Sequence, residues 1–154
     1  MKIIPIFHIL SILIMPLSGF MMVSGFVDFV YNNQNWVNFF ISATITLFVG
    51  MSVFLATRGH NDQNVDLRQA FVLTTMSWIT IAFFGALPFY LSNINLGFTD
   101  SFFESMSGIT TTGSTILINI EASPPGILAW RSLLQWLGGI GVIVMAIAIF
   151  PMLS

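Results

Sequence analysis

Ser101-Phe-Phe-Glu-Ser-Met-Ser-Gly-Ile-Thr-Thr-Thr-Gly-Ser-Thr115 places a short helix-forming run directly ahead of a threonine and glycine tract. On either side lies a segment long and apolar enough to cross a membrane. Lipid cannot satisfy the carbonyl oxygens of a non-helical loop. Such a loop persists at bilayer depth only where protein or a hydrated ion completes its bonding. The pattern therefore points to permeation rather than anchoring, with this stretch as one wall of an ion filter.

The rest of the chain supports a membrane setting. Of 154 residues, 56% are hydrophobic and only 6% charged, and the mean hydropathy is +0.92. Residues 3–27, 36–57, 69–99 and 132–154 carry no charge. Each is long enough for the roughly 20 helical residues that span a hydrocarbon core of about 30 Å. The uncharged run 105–120 is shorter and contains Gly108, Gly113 and the threonines, so it is expected to enter the membrane without crossing it. The expected fold is all-α: four transmembrane helices plus a re-entrant pore helix and filter loop. Residues 1–66 read as a helical hairpin with its following loop, and 67–154 as one helix, pore-loop, helix repeat.

Composition also excludes several classes. The chain has no cysteine, which rules out disulfides, thiol catalysis and cysteine-ligated metals. A net charge of -2 with four scattered basic residues offers nothing to nucleic acid. There is no phosphate loop and no nucleophile beside a base, so no enzyme and no cofactor is expected. His8 and His60 lack partners at metal-ligand spacing and read as structural or interfacial. The apolar run after Lys2 is too long for a signal peptide and reads as an uncleaved spanning helix.

Lys2, Arg58 and Arg68 fall on one face of a four-helix topology, which the positive-inside rule makes cytoplasmic, the N-terminus included. The opposite face collects Asp28, Asp100, Glu104 and Glu121. An acidic mouth of this kind concentrates cations; the plainer reading is that water-facing loops are polar. Helices are expected over about 67–91, with Pro88 near the outer end, and over about 126–151.

Ser101-Phe-Phe-Glu104 fits the capping-box pattern, and Asp100 and Glu104 complement the positive end of a helix dipole. The expected helix, Ser101 to Ile109, is too short to span. Its C-terminal end directs partial negative charge toward the membrane centre. Glu104 reads first as a cap; the alternative is a carboxylate that braces the filter from behind or attracts ions. Thr110, Thr111, Thr112, Gly113 and Ser114 are then expected to supply consecutive carbonyls able to replace the hydration water of a potassium ion. Gly113 is central because glycine takes left-handed backbone angles at little steric cost. Gly138-Gly139-Ile-Gly141 reads as a helix-packing surface, with a hinge as the alternative. Arg131 reads as snorkelling to the outer interface, with a pore-mouth role as the alternative. Trp36, Trp130 and Trp136 read as interfacial.

Three segments carry a family resemblance: Phe84-Gly-Ala-Leu-Pro-Phe89, Phe102 to Thr115, and Trp130-Arg-Ser-Leu-Leu-Gln-Trp-Leu-Gly-Gly-Ile-Gly141 with Pro151-Met-Leu. The chain resembles the Trk-type potassium uptake proteins, specifically their TrkH-like membrane subunit. That resemblance implies a pore of four non-identical repeats in one polypeptide, each giving one filter strand. Only the first repeat is present, preceded by a hairpin like the family's extra helix pair, so an N-terminal fragment is expected. It also implies potassium as the transported substrate, with Gly113 as the selectivity glycine. In related plant transporters a serine at that position accompanies sodium preference. Further implications are a multi-pass protein of the bacterial inner membrane, passive or symporter-like. The three remaining repeats, a second identical subunit and a cytoplasmic nucleotide-binding regulatory subunit are its implied partners. The competing expectation is a non-conducting membrane module that docks a partner through the small-residue face at Gly138 to Gly141.

Overall fold

The computed structural model describes residues 3–59 and 67–149. Lys2, His60, most of the loop before Arg68, and Pro151-Met-Leu lie outside the described residues. The architecture is all-helical, without a strand among the described residues: α1 (Ile4–Val30), α2 (Trp36–Thr57), α3 (Leu67–Gly85), α4 (Leu87–Leu91), α5 (Phe98–Ile109), a single 3-10 turn (Ile120–Ala122) and α6 (Pro125–Ile149). Four segments, 4–30, 36–57, 69–91 and 125–143, are long and apolar enough to cross a membrane.

α1 and α2 form an antiparallel hairpin because the polar turn at residues 31–35 reverses the chain within five residues, with Asn32 in the left-handed region at φ 53°. Asparagine tolerates that conformation better than most residues. Small residues bring the pair together: a Cβ on Gly25 would stand 2.8 Å from that of Phe39, and one on Gly50 would stand 3.1 Å from Ile14. The outward faces of the pair keep large apolar side chains such as Phe26 and Phe48 exposed, as a lipid-facing surface requires.

The third spanning segment is broken. Pro88 has no N–H for the carbonyl one turn earlier, so the helix interrupts at Ala86 and resumes as α4 with proline in its first turn. The carbonyl of Gly85 at the break accepts the indole N–H of Trp130 at 3.0 Å. Trp130 is fully buried, which corrects its interfacial reading. Its polar handle is spent on a helix break, not on headgroups.

α6 starts under similar control. Pro125 occupies its first turn, and the buried Asp28 of α1 accepts the Gly126 N–H at 2.6 Å. Asp28 also accepts from Asn35 Nδ2 at 3.3 Å. The hairpin therefore supplies an acceptor for a helix start that would otherwise leave a buried donor orphaned. Gly126 is obligatory here, since a Cβ would overlap the Asp28 carboxylate and stand 2.8 Å from the Ser24 carbonyl.

Further along α6, Gly138 meets α5 end-on. A Cβ there would collide with the Ile109 carbonyl, whereas Gly139 and Gly141 have no described atom near theirs. Buried Trp130, Leu134, Ile127, Phe89 and Ile109 pack between these elements and join Leu17, Met21 and Phe39 of the hairpin in one core.

Two substitutions test this framework by thermal unfolding in mild detergent. Asp28→Ala strands the buried Gly126 N–H and is expected to cost about 1–3 kcal/mol. Gly138→Ala is expected to cost about 1–3 kcal/mol through overpacking, while Gly139→Ala is expected to be neutral or slightly stabilising. Equal effects at 138 and 139 would contradict the α5–α6 contact.

Candidate functional site: a helix end and its exposed strand

α5 has 12 residues, about 18 Å at 1.5 Å per residue, too short for a core of about 30 Å. It begins at Phe98, with Gly97 as its N-cap residue and no side-chain cap. The capping-box expectation for Ser101 and Glu104 is thus corrected. Ser101 lies inside the first turns, where its hydroxyl donates to the Gly97 carbonyl at 2.9 Å. Glu104 turns away from the helix start, across to residues 115 and 116. Asp100 does sit in the first turn, where an acidic side chain complements the dipole.

The C-terminal end stops against Gly138, the fourteenth of the 25 residues of α6. At 1.5 Å per residue that contact lies about 20 Å along α6, near its middle. From here the chain leaves helical geometry. Thr111 N–H bonds Gly108 O at 3.0 Å and Thr112 N–H bonds Ser107 O at 3.0 Å, closing the last turn. Thr111 has φ 57° and Gly113 φ 79°. A β-branched residue in the left-handed region is a true outlier, held only where surrounding structure over-determines it.

Residues 110–114 are all solvent-exposed. The carbonyls of Thr110, Thr111, Thr112 and Gly113 accept no hydrogen bond from any described residue. The side chains of Thr110 and Thr112, by contrast, are engaged. Thr110 donates its hydroxyl to Met106 O at 2.7 Å. That commits its proton, so in the 2.7 Å contact with Thr112 Oγ1 the Thr112 hydroxyl is the donor. The result is an exposed run of four unpaired main-chain oxygens in which the Thr110 and Thr112 side chains are tied down.

Beyond Gly113 the chain is tied back to α5. Ser107 Oγ donates to the Ser114 carbonyl at 2.6 Å. Glu104 Oε1 accepts both the Thr115 hydroxyl at 2.5 Å and the Ile116 N–H at 2.6 Å. Thr115 Oγ1 in turn accepts the Leu117 N–H at 3.1 Å. Arg131 Nε of α6 lies 3.1 Å from Glu104 Oε2, with side-chain exposures of 14% and 0%. The N–H is not aligned on Oε2, which has no directed hydrogen bond, so the attraction there is one of charge. Arg131 is accordingly drawn inward to Glu104, which corrects its snorkelling reading.

This pairing changes the picture of an acidic mouth. Asp28 and Glu104 are buried and internally bonded, so of the four acidic residues only Asp100 and Glu121 are exposed. Of the sequence candidates, the structure brings Glu104 and Thr110 to Ser114 together. Ser107, Thr115 and Arg131 as a partner of Glu104 are additions. Glu104 and Ser107 stand three residues apart on one helix face, the one signal in the sequence that relates them. No group of three or more potential metal-ligating side chains occurs among the described residues.

Residues 35–154 match the TrkH family model, described as a cation transport protein. The Trk system potassium uptake protein TrkI of Halomonas elongata is 42% identical over 150 residues, covering 97% of this chain and 30% of that protein. TrkH of Escherichia coli K12 is 37% identical over 148 residues, covering 96% of this chain and 30% of its own length. The crystal structure of the potassium transporter TrkH from Vibrio parahaemolyticus superposes with a TM-score of 0.92 at 34% identity, covering 98% of this chain and 32% of that one. The chain thus spans about 30% of the length of the curated relatives it matches. With a family model matched over most of its length and the same helical arrangement throughout, this chain belongs to the TrkH family of cation transport proteins.

Proposed function

We propose that this chain forms one quarter of a potassium-conducting pore, with α5 as a re-entrant pore helix and residues 110–114 as one filter strand. The carbonyls of Thr110, Thr111, Thr112 and Gly113 face the ion path, and Ser114 completes the strand. The observation that carries this reading is the row of four unpaired carbonyls at the end of a short helix that stops halfway along α6. At that depth lipid offers no donor, so a dehydrating alkali cation is the fitting partner. The helix dipole contributes partial negative charge at the same place. The names of the relatives, potassium uptake proteins, support potassium as the cargo.

On this reading residues 1–66 are an accessory hairpin with its cytoplasmic loop, and 67–154 are the first pore repeat. Three further repeats close the ring around the ion. The positive-inside rule puts Arg58 and the N-terminus in the cytoplasm of a cell whose inner membrane holds the protein. A second copy of the subunit and a cytoplasmic nucleotide-binding subunit remain the proposed partners, and coupling to another ion stays part of the proposal. The non-conducting docking module loses its motive at Gly138, because Ile109 of the same chain already packs against that glycine.

Gly113→Ser in the complete transporter tests the filter directly. There is space for the side chain, so the perturbation is the φ of 79°, which costs a non-glycine residue about 1–2 kcal/mol. Preference for rubidium over sodium, measured by uptake and sodium block, is expected to fall about tenfold, the equivalent of roughly 1.4 kcal/mol. Unchanged discrimination at normal membrane abundance would overturn the filter assignment.

A further inference from the structure

Resting on the filter reading above, we propose that Ser107 and Glu104, the latter anchored by Arg131, are positioning residues that end ion coordination from this repeat at the Gly113 carbonyl and thereby set ion discrimination.

The run of open carbonyls is interrupted directly after residue 113. Up to and including Gly113 lie four consecutive carbonyls without protein partners. After it, the next carbonyl, that of Ser114, is turned onto the Ser107 hydroxyl at 2.6 Å. Thr115 and Ile116 are then held by one oxygen of Glu104 at 2.5 and 2.6 Å. A carbonyl aimed at the helix behind it is not aimed at the ion path, so the ladder of ligands stops at Gly113. Ser107 and Glu104 are both buried and lie on one face of α5, so the clamp has a rigid base.

Arg131 fixes the base from a second helix. A glutamate on α5 has several rotamers, and only those that reach Ile116 also hold the strand. The guanidinium 3.1 Å from Oε2 selects among them by charge. Selectivity by a carbonyl cage depends on the number and placement of oxygens. A strand free to slide by a fraction of an ångström at 114–116 changes both.

Charge alone makes a different prediction. Glu104→Gln leaves an uncompensated cation behind the strand, and Arg131→Gln leaves an uncompensated anion. If the pair acted only through its field on the ion, the two variants would shift the apparent KM for rubidium in opposite directions and leave the rubidium-to-sodium ratio alone. If it positions the strand, both lower the ratio in the same direction.

The experiment compares Glu104→Gln, Arg131→Gln, Arg131→Lys and Ser107→Ala in the full-length transporter, normalised to membrane abundance, with Gly113→Ser alongside. Expected are a severalfold or greater loss of rubidium-over-sodium discrimination in Glu104→Gln and Arg131→Gln, no further loss when the two are combined, and substantial recovery in Arg131→Lys. Ser107→Ala keeps the ion pair intact and is the deciding variant should the charged ones fail to reach the membrane. Its expected result is an altered ion ratio, because the Ser114 carbonyl is released. Wild-type ratios in Ser107→Ala and in whichever charge variants reach the membrane, or opposite KM shifts at constant ratio, would overturn the positioning role. If Gly113→Ser changes discrimination while these variants do not, the positioning role alone falls; if Gly113→Ser is also silent, the filter reading falls with it.

Discussion

A main-chain carbonyl in hydrocarbon must find a donor or a cation, because the surrounding lipid supplies neither. The structure can be read as a set of answers to that requirement. The break ahead of Pro88 exposes the Gly85 carbonyl, and Trp130 takes it. The start of α6 exposes the Gly126 N–H, and Asp28 takes it. The strand after Gly113 exposes the Ile116 N–H and the Ser114 carbonyl, and Glu104 and Ser107 take those. Against that background the four consecutive open carbonyls at 110–113, at the end of a helix that stops halfway along α6, give the proposed permeation role its physical basis.

Much of this was legible from local pattern. The second helix is found at the bounds its uncharged run indicates, residues 36–57, because apolar length and a flanking polar turn are local properties. The short helix before the threonines and the role of Gly113 as a left-handed hinge were legible for the same reason. What failed was the destination of individual polar side chains. Ser101-Phe-Phe-Glu104 has the spacing of a capping box, but spacing does not say whether a glutamate turns back to its own helix start or across to residues 115 and 116. Two long-range donors and Arg131 decided the matter. Trp130 and Arg131 look interfacial when counted from the helix end, and become internal only once α5 and the broken third segment pack against α6.

The Glu104–Arg131 pair also illustrates what a buried charge pair is for. Removing both charges from water costs several kcal/mol per ion, which the pair's attraction offsets only with good geometry. Here one carboxylate oxygen is fully used by two donors, while the contact to Arg131 is not aligned. Such a pair is a weak source of net stability and a strong source of orientation. Losing one partner is costly, about 3–5 kcal/mol, because a buried charge is stranded.

Orientation then propagates through α6. This helix meets the site at Gly138 under the Ile109 carbonyl, at Leu134 against Gly108 and at Arg131 beside Glu104. Its own start is held by Asp28, and Phe20 of α1 meets Trp136 edge-on at a centroid distance of 6.4 Å. A rotation or slide of α6 would therefore disturb the helix end and the strand clamp together. The hairpin that resists such a movement contributes no atom to the exposed carbonyl row. It acts on that row by fixing the axial position of α6, whose glycine sets the depth of α5 and whose arginine sets the rotamer of the residue holding the strand.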